Sequence, residues 1–491
     1  MKVPVPGMRV GLTFDDVLLV PRFSDVRSRK GVDTRSRFTR SIELNAPIVS
    51  ANMDTVTEAS MAIAMARVGG IGVIHRFLSL QDEAAEVAKV KRSEGVVIED
   101  PITMEGGETV ASAWEAIREH DIGGMVIVDK DRKVTGIVTR RDISLEDDLD
   151  KKLVEVMTPR RKLVTARKGV TLEQAKKLLR DNKIEKLPLL DSRGRLAGLI
   201  TSKDILKRRL FPSATKDAKG RLRVAAAVGV RGDLIERSEM LLDAGADALV
   251  VDIAHGHSAH AIGAVKALKR AFRDVEVVAG NVATSRGAAD LARAGADAVK
   301  VGVGSGSICI TRVVSGSGVP QVTAILDSCG GLEGLDVPVI ADGGVRSPGD
   351  VTKALAAGAS TVMIGSLFAG TEESPGPTVL RDGIRYKMTR GMSSLEASVD
   401  RMRRESKGSE SRQDELVEAA IEEAVPEGVG GLIPYKGTVG EVAAQLLGGL
   451  RSGMSYVGAR NVRELHAKAE FIRITDAGQR ESLPHDIKRT I

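Results

Sequence analysis

The sequence predicts an α/β fold, a (β/α)8 TIM barrel that carries an inserted domain. Three observations predict it: eight short β-branched runs alternate with helical stretches, a small glycine unit recurs ahead of three of those runs, and one connection is far too long to be a loop. The runs are Pro47–Asn52, Ile71–His75, Leu222–Val230, Ala248–Ile253, Val275–Gly280, Ala298–Gly302, Val339–Asp342 and Thr361–Gly365. They are nearly continuous in apolar residues, the pattern of parallel strands buried on both faces. Helical segments such as Ala261–Phe272 and Arg286–Ala294 lie between them. The recurring unit reads Ala244-Gly-Ala-Asp, Ala294-Gly-Ala-Asp and Ala357-Gly-Ala-Ser, in which a glycine stops a helix just before a strand. Eight βα units favour closure, and a doubly wound open sheet is the alternative that a strand count leaves open.

About 150 residues separate the second and third strands. Within them Gly136-Ile-Val-Thr-Arg-Arg-Asp-Ile recurs as Gly198-Leu-Ile-Thr-Ser-Lys-Asp-Ile. Amphipathic helices over Thr109–His120 and Thr171–Asn182 precede the apolar strands Gly124–Val128 and Leu187–Leu190. One such αβ unit cannot bury its own apolar face, so the two copies should pack as a pseudo-symmetric pair. The repeated G-x-x-T-x-x-D pattern resembles a tandem pair of CBS modules. That resemblance implies that Thr139, Asp142, Thr201 and Asp204 hold the ribose and phosphates of adenine nucleotides; a packing module that binds nothing is the alternative. The expected domains are residues 1–93 for the first part of the barrel, 94–210 for the tandem CBS insert (about 94–150 and 151–210) and 211–491 for the second part of the barrel.

Composition excludes several classes of function. The 72 basic and 66 acidic residues leave a net charge of +6, too balanced and too evenly spread for a nucleic-acid partner. No run of about 18 apolar residues predicts a membrane span, and no basic stretch leading into an apolar core predicts a secretory signal. Cys309 and Cys329 are the only cysteines, which points to a reducing, cytoplasmic setting. Without a paired CxxC there is no structural zinc motif.

Active sites of barrels form at the C-terminal ends of the strands. After the sixth run comes Gly302-Val-Gly-Ser-Gly-Ser-Ile-Cys-Ile-Thr-Arg312, the expected catalytic loop over 302–312. Its glycines let backbone groups face a ligand, Ser307 supplies a hydroxyl, and Cys309 sits in the same turn as a candidate nucleophile. Cys329 lacks such surroundings and reads as a small buried hydrophobe. After the seventh and eighth runs, Ala341-Asp-Gly-Gly-Val-Arg and Ile364-Gly-Ser-Leu-Phe-Ala-Gly are glycine turns of the kind that present N–H groups to a phosphate. Asp342 is placed to accept hydrogen bonds from ribose hydroxyls.

Together these motifs resemble the IMP dehydrogenases, over nearly the whole chain. Thr13-Phe-Asp-Asp-Val-Leu-Leu-Val-Pro21, Met53-Asp-Thr-Val-Thr57, Gly304-Ser-Gly-Ser-Ile-Cys-Ile-Thr311, Ala341-Asp-Gly-Gly344 and Val425-Pro-Glu-Gly428 carry the resemblance. It implies oxidation of IMP at C2 to XMP with NAD, through a covalent purine adduct on Cys309 with Thr311 beside it. By the same resemblance Ser307, Gly344, Gly365 and Ser366 hold the phosphate, Asp342 the ribose, and Met392, Ser393 and Glu427 the base. Asp252, Asn281 and Gly302 face NAD, and carbonyls of Gly304, Gly306 and Cys309 ring a monovalent cation, usually potassium. His255 and His257 match the bacterial form of their strand end but have no third partner for a metal site. The family forms homotetramers, and octamers through the CBS pairs.

Three positions depart from that pattern. The family's flap, here about residues 388–437, carries an Arg-Tyr pair that activates water; Arg412 stands in it, but Gln413 occupies the tyrosine position. Thr389 replaces a phosphate-contacting tyrosine, and Gly391-Met-Ser-Ser394 with Asn52-Met-Asp-Thr-Val56 is closer to the sister GMP reductases. Those enzymes convert GMP to IMP with NADPH, so that activity stays open. So does a catalytically silent protein that senses adenine nucleotides.

Overall fold

A computed structural model describes residues 8–95, 97–120, 122–405 and 425–484. Eight parallel strands close into a barrel: β1 Ile48–Ser50, β2 Ile71–Ile74, β3 Ala225–Val228, β4 Ala248–Asp252, β5 Glu276–Val282, β6 Ala298–Val301, β7 Val339–Asp342 and β8 Thr361–Ile364. The closing pair sets Val362, Met363 and Ile364 of β8 beside Ile48, Val49 and Ser50 of β1, which rules out the open sheet. Seven of the eight predicted runs contain their strand, and two lengths need correction. The third is only Ala225–Val228 within Leu222–Val230, because Val224 N–H donates to the Asp247 side chain instead of continuing a ladder. The fifth runs on to Val282, with a register shift between Gly280 and Val282 that turns Asn281 out of the ladder.

Alternate residues fill the interior. Val49, Ile71, Val73, Val250, Val278, Ile340 and Met363 interlock with Ala225, Ala227, Ala248 and Ala298, large against small, as the space inside eight strands requires. Phe38, Ile42 and Leu44 join the same cluster from the hairpin that pairs Ser36–Arg37 with Glu43–Leu44. Each fully buried aliphatic side chain contributes about 1.5–3 kcal/mol.

The recurring glycine unit is a helix stop with a second function. At Gly245, Gly295 and Gly358, φ is +102°, +110° and +110°. In each case the glycine N–H and the next N–H bond back into the helix end, as Gly295 to Ala292 O and Ala296 to Leu291 O. Missing Cβ atoms also leave a slot. A Cβ on Gly245 would meet the stem of Lys91, and one on Gly295 the stem of Lys269. Those lysines, each from the preceding helix of the barrel, reach the aspartate that ends the unit: Lys91 Nζ is 2.8 Å from Asp247 Oδ2 and Lys269 Nζ 2.8 Å from Asp297 Oδ2. In the third copy Cys329 Sγ occupies the slot over Gly358, and a serine, Ser360, replaces the aspartate because no ammonium needs it. Cys329 is thus a packing residue, and burial pushes its thiol up to about 12.

The chain divides into two compact units, one of residues 1–91, 213–216 and 222–491 and the other of 92–212 and 217–221. In the second unit the two copies are built alike. Helix Val110–Glu119 accompanies the antiparallel strands Gly124–Val128 and Val134–Thr139, and helix Leu172–Asp181 accompanies Lys186–Leu190 and Leu196–Thr201. Val126, Val128, Val134 and Ile137 of the first copy share one apolar cluster with Leu196 and Leu199 of the second. Ile98 pairs with Leu199 and Lys133 with Arg195.

Candidate active site

Cys309 lies beyond the C-terminal end of β6, half-buried, with its N–H donating to Gly306 O at 3.2 Å. Residues 425–434 return over this loop: Ile310 N–H donates to Glu427 O at 2.8 Å and Val429 N–H to Ile308 O at 3.0 Å. That return brings together residues 116 positions apart. Cys309 Sγ is 3.1 Å from Thr311 Oγ1, and Thr311 Oγ1 donates to Glu427 Oε2 at 2.7 Å. Because the one hydroxyl proton of Thr311 is committed to Glu427, the thiol is the donor in the first contact. The result is a directed path for a proton from sulfur through the hydroxyl to the carboxylate.

A second group forms at the ends of β4 to β7. Asp342 Oδ2 accepts from Lys300 Nζ at 2.7 Å and from Asn281 Nδ2 at 2.9 Å, while Asp252 Oδ1 lies 3.6 Å from the same ammonium. Asn281 Nδ2 also donates to Gly302 O at 2.7 Å. Lys300 is buried; burial pulls its ammonium down, but Asp342 and Asp252 outweigh that and hold it above the ordinary lysine value. Behind Asp342, its own carbonyl accepts from Ser305 Oγ and Gln321 Nε2, which fixes the turn. A Cβ on Gly302 would collide with that carbonyl.

Ser307, Asp342, Gly344, Gly365 and Ser366 line one cavity, together with Met53 and Thr389. Gly343 and Gly344 adopt φ of +90° and +82°, the left-handed turn that lets this backbone pass close under Ser305 and Gly306. Thr389 is buried and shares a 3.1 Å hydrogen bond with Thr55. Met392 Sδ accepts from Asp54 N–H at 3.4 Å, and Ser393 O accepts from Glu427 N–H at 3.1 Å. Both belong to a segment pinned by Arg390, which pairs with Asp54 and Asp400 at 2.6 Å each.

A profile of the family described as IMP dehydrogenase / GMP reductase domain matches residues 11–485. The chain belongs to that family. The inosine-5'-monophosphate dehydrogenase of Nitrosopumilus maritimus is 53% identical over 97% of this chain and 98% of its own length. That of Aquifex aeolicus is 51% identical over 98% and 97%. Among solved structures, the GMP reductase of Trypanosoma brucei in complex with guanosine 5'-monophosphate superposes with a TM-score of 0.91 at 43% identity, over 98% of this chain and 99% of that one.

Set against the IMP dehydrogenase / GMP reductase family, the site residues expected from sequence fall into three sets. Cys309, Thr311 and Glu427 converge, as do Asp252, Asn281, Gly302 and Asp342, and the cavity gathers Ser307, Gly344, Gly365 and Ser366. Thr139, Asp142 and Thr201 lie in the second unit, where Asp142 Oδ2 accepts from both the N–H and the hydroxyl of Thr139 at 2.7 Å. Arg412 and Gln413 lie outside the described residues, as does the side chain of Asp204. His257 Nε2 is 3.0 Å from Asp290 Oδ2, and its hydrogen bond holds that carboxyl below the usual range. Among the described residues no group of three His, Cys, Asp or Glu could hold a metal ion. Sequence reasoning missed Lys300, Ser305, Gln321 and Arg390. Only Lys300 left a readable trace, as a lone charge inside the apolar run Ala298–Gly302.

Proposed function

We propose that the chain oxidises IMP at C2 to XMP with NAD, through a covalent purine adduct on Cys309. The observation that carries this reading is the Cys309–Thr311–Glu427 path, which provides both a nucleophile and a place for its proton beside the nucleotide cavity. The phosphate would sit against Ser307, Gly344, Gly365 and Ser366, and the ribose would donate to Asp342. Met392, Ser393 and Glu427 would meet the base. Sγ attacks C2 and loses its proton towards Thr311. When bound, the nicotinamide of NAD supplies the acceptor for the hydride that leaves C2. Glu427 releases that first proton to solvent. Water then adds to C2 of the thioimidate, passing a proton through Thr311 to the carboxylate. As the C–S bond breaks, the Cys309 thiolate takes this proton back along the same path and XMP is released. This route replaces the flap pair, in which Arg412 has Gln413 rather than a tyrosine beside it.

The residues present suit the cofactor. Asn281 Oδ1 is buried with no hydrogen-bond partner, an unused acceptor beside Asp252. Carbonyl oxygens of Gly304, Gly306 and Cys309 are hard donors suited to potassium; Gly306 O accepts one N–H and keeps a second lone pair.

A second reading, reduction of GMP to IMP with NADPH, is favoured by Gly391-Met-Ser-Ser394 and Gln413. Purified protein with IMP, NAD and potassium should form NADH and XMP. Consumption of NADPH with GMP, and no NADH with IMP, would replace the first reading by the second. In the other unit, the Thr139–Asp142 box and its counterpart at Thr201 and Asp204 supports adenine-nucleotide binding, which calorimetry with ATP and AMP tests. A tetramer, and octamers through that unit, are expected by light scattering. No helix among the described residues is long and apolar enough to cross a membrane.

A further inference from the structure

We propose that Lys300 is a positioning residue shared by both halves of the site: its ammonium fixes the carboxylates of Asp342 and Asp252 together, so that affinity for the nucleotide and for the dinucleotide depends on one buried charge. The inference rests on the functional reading above, which assigns Asp342 to the nucleotide ribose and Asp252 to the dinucleotide.

A wholly apolar strand would serve the fold as well as one that carries this ion pair. Lys300 stands in a strand whose other residues, Ala298, Val299 and Val301, are apolar and buried, and its side chain is 4% exposed. Exchanging a buried ion pair for apolar groups of similar volume commonly leaves stability unchanged or raises it. The strand beside Lys300 comes close at this position. A Cβ on Gly280 would lie 2.5 Å from Lys300 O and 2.6 Å from Lys300 Cβ, so glycine there lets β5 approach the backbone of β6 closely, whatever side chain stands at 300.

The geometry also gives the ammonium a definite task. Lys300 and Asn281 both donate to Oδ2 of Asp342, and neither bond uses Oδ1, which stays available to accept from a ribose. Asp252 stands 3.6 Å from the same nitrogen, from β4. Two carboxylates therefore face one barrel mouth across a single cation. Without it they repel; Asp252 loses its cationic partner, and Asp342 keeps only the Asn281 hydrogen bond on Oδ2. Lys300 touches neither ligand and acts only through these two groups.

The test uses the full chain with Lys300→Met and Lys300→Arg. Wild type is first assayed with IMP and NAD and with GMP and NADPH, to establish the working pair; IMP binding is measured by calorimetry in every variant. Lys300→Met should raise KM for both the nucleotide and the dinucleotide at least tenfold and weaken IMP binding by a similar factor, with Lys300→Arg recovering most of the loss. A change confined to one ligand, no change, or an arginine variant no better than the methionine one would overturn the proposal. If Lys300→Met does not fold, Asp252→Asn decides. It should alter the IMP dissociation constant at least threefold from across the site, and an unaltered constant overturns the shared role. Should wild type turn over neither pair, the functional reading fails, and IMP binding by these variants still judges Lys300.

Discussion

The hydroxyl of Thr311 lies 3.1 Å from the sulfur of Cys309, two residues away in the chain, and hands its own proton to Glu427 at 2.7 Å. A nucleophile this close to a hydroxyl already committed to a carboxylate has a built exit for its proton. Thr311→Val keeps the shape of the side chain and removes the exit. It should lower kcat about 100-fold, the lower end of what one general acid–base step contributes. Binding of IMP by calorimetry should stay within twofold. Glu427→Gln should lower kcat as far, since an amide cannot take the proton. A Thr311→Val enzyme with more than half the wild-type kcat would remove the relay from the mechanism.

The two cysteines should separate cleanly in reactivity. Cys329 fills the slot over Gly358 and burial pushes its thiol up to about 12, so at pH 8 it is held as the unreactive thiol. Cys309 is also only half-buried, but it lies in the glycine loop after β6 and not in a slot between helices. Iodoacetamide at pH 8 should therefore add one equivalent to the native protein, at Cys309, with loss of activity. Excess nucleotide should protect. Mass spectrometry that finds Cys329 modified at a comparable rate would contradict the packing.

Much of this was legible in the sequence, for physical reasons. Strands buried on both faces carry few polar residues to blur their apolar runs, Lys300 being one, and a positive-φ helix stop demands glycine, so Ala294-Gly-Ala-Asp announces both a helix end and a strand start. Local rules do not extend to partners. Asp297 reads as a turn residue, yet it is the buried acceptor for Lys269, a residue from the preceding helix. Nor does the pattern of residues around Cys309 show that Glu427 meets Thr311 from 116 positions on, because that meeting depends on the return of Glu427–Val429 over the loop. The sequence likewise does not show that Thr389, which lines the cavity, is bonded to Thr55 of the loop after β1.

Arg390 ties the segment bearing Met392 and Ser393 to the loop after β1. Its guanidinium bridges Asp54 and Asp400, and at Asp54, nine-tenths buried at its side chain, both contacts from Arg390 go to Oδ2 while Oδ1 has no hydrogen-bond partner. Truncating one member of such a network leaves a buried charge uncompensated. Arg390→Met should free the segment that meets the base, raising KM for the nucleotide about tenfold with a smaller effect on kcat. Steady-state kinetics with the nucleotide varied reads this directly; an unchanged KM would mean that the bridge does not shape the site.

Asp297 offers a test of the fold that leaves the chemistry alone. It sits at the start of β6, at the opposite end of the strand from the catalytic loop, 6% exposed at its side chain. One carboxylate oxygen takes both the Lys269 ammonium at 2.8 Å and Val277 N–H at 2.9 Å. Asp297→Ala strands a lysine stem packed over Gly295 and leaves a buried N–H without its acceptor, a loss of about 3 kcal/mol. Asp297→Asn keeps an acceptor for Val277 but not the charge, and should lose less. Urea unfolding followed by circular dichroism measures both, and kcat at a temperature where each variant is folded should stay within twofold of wild type. A loss below about 1 kcal/mol for Asp297→Ala would show that the repeated lysine–aspartate pair is an ornament of the helix stop and that Gly295 alone sets the turn.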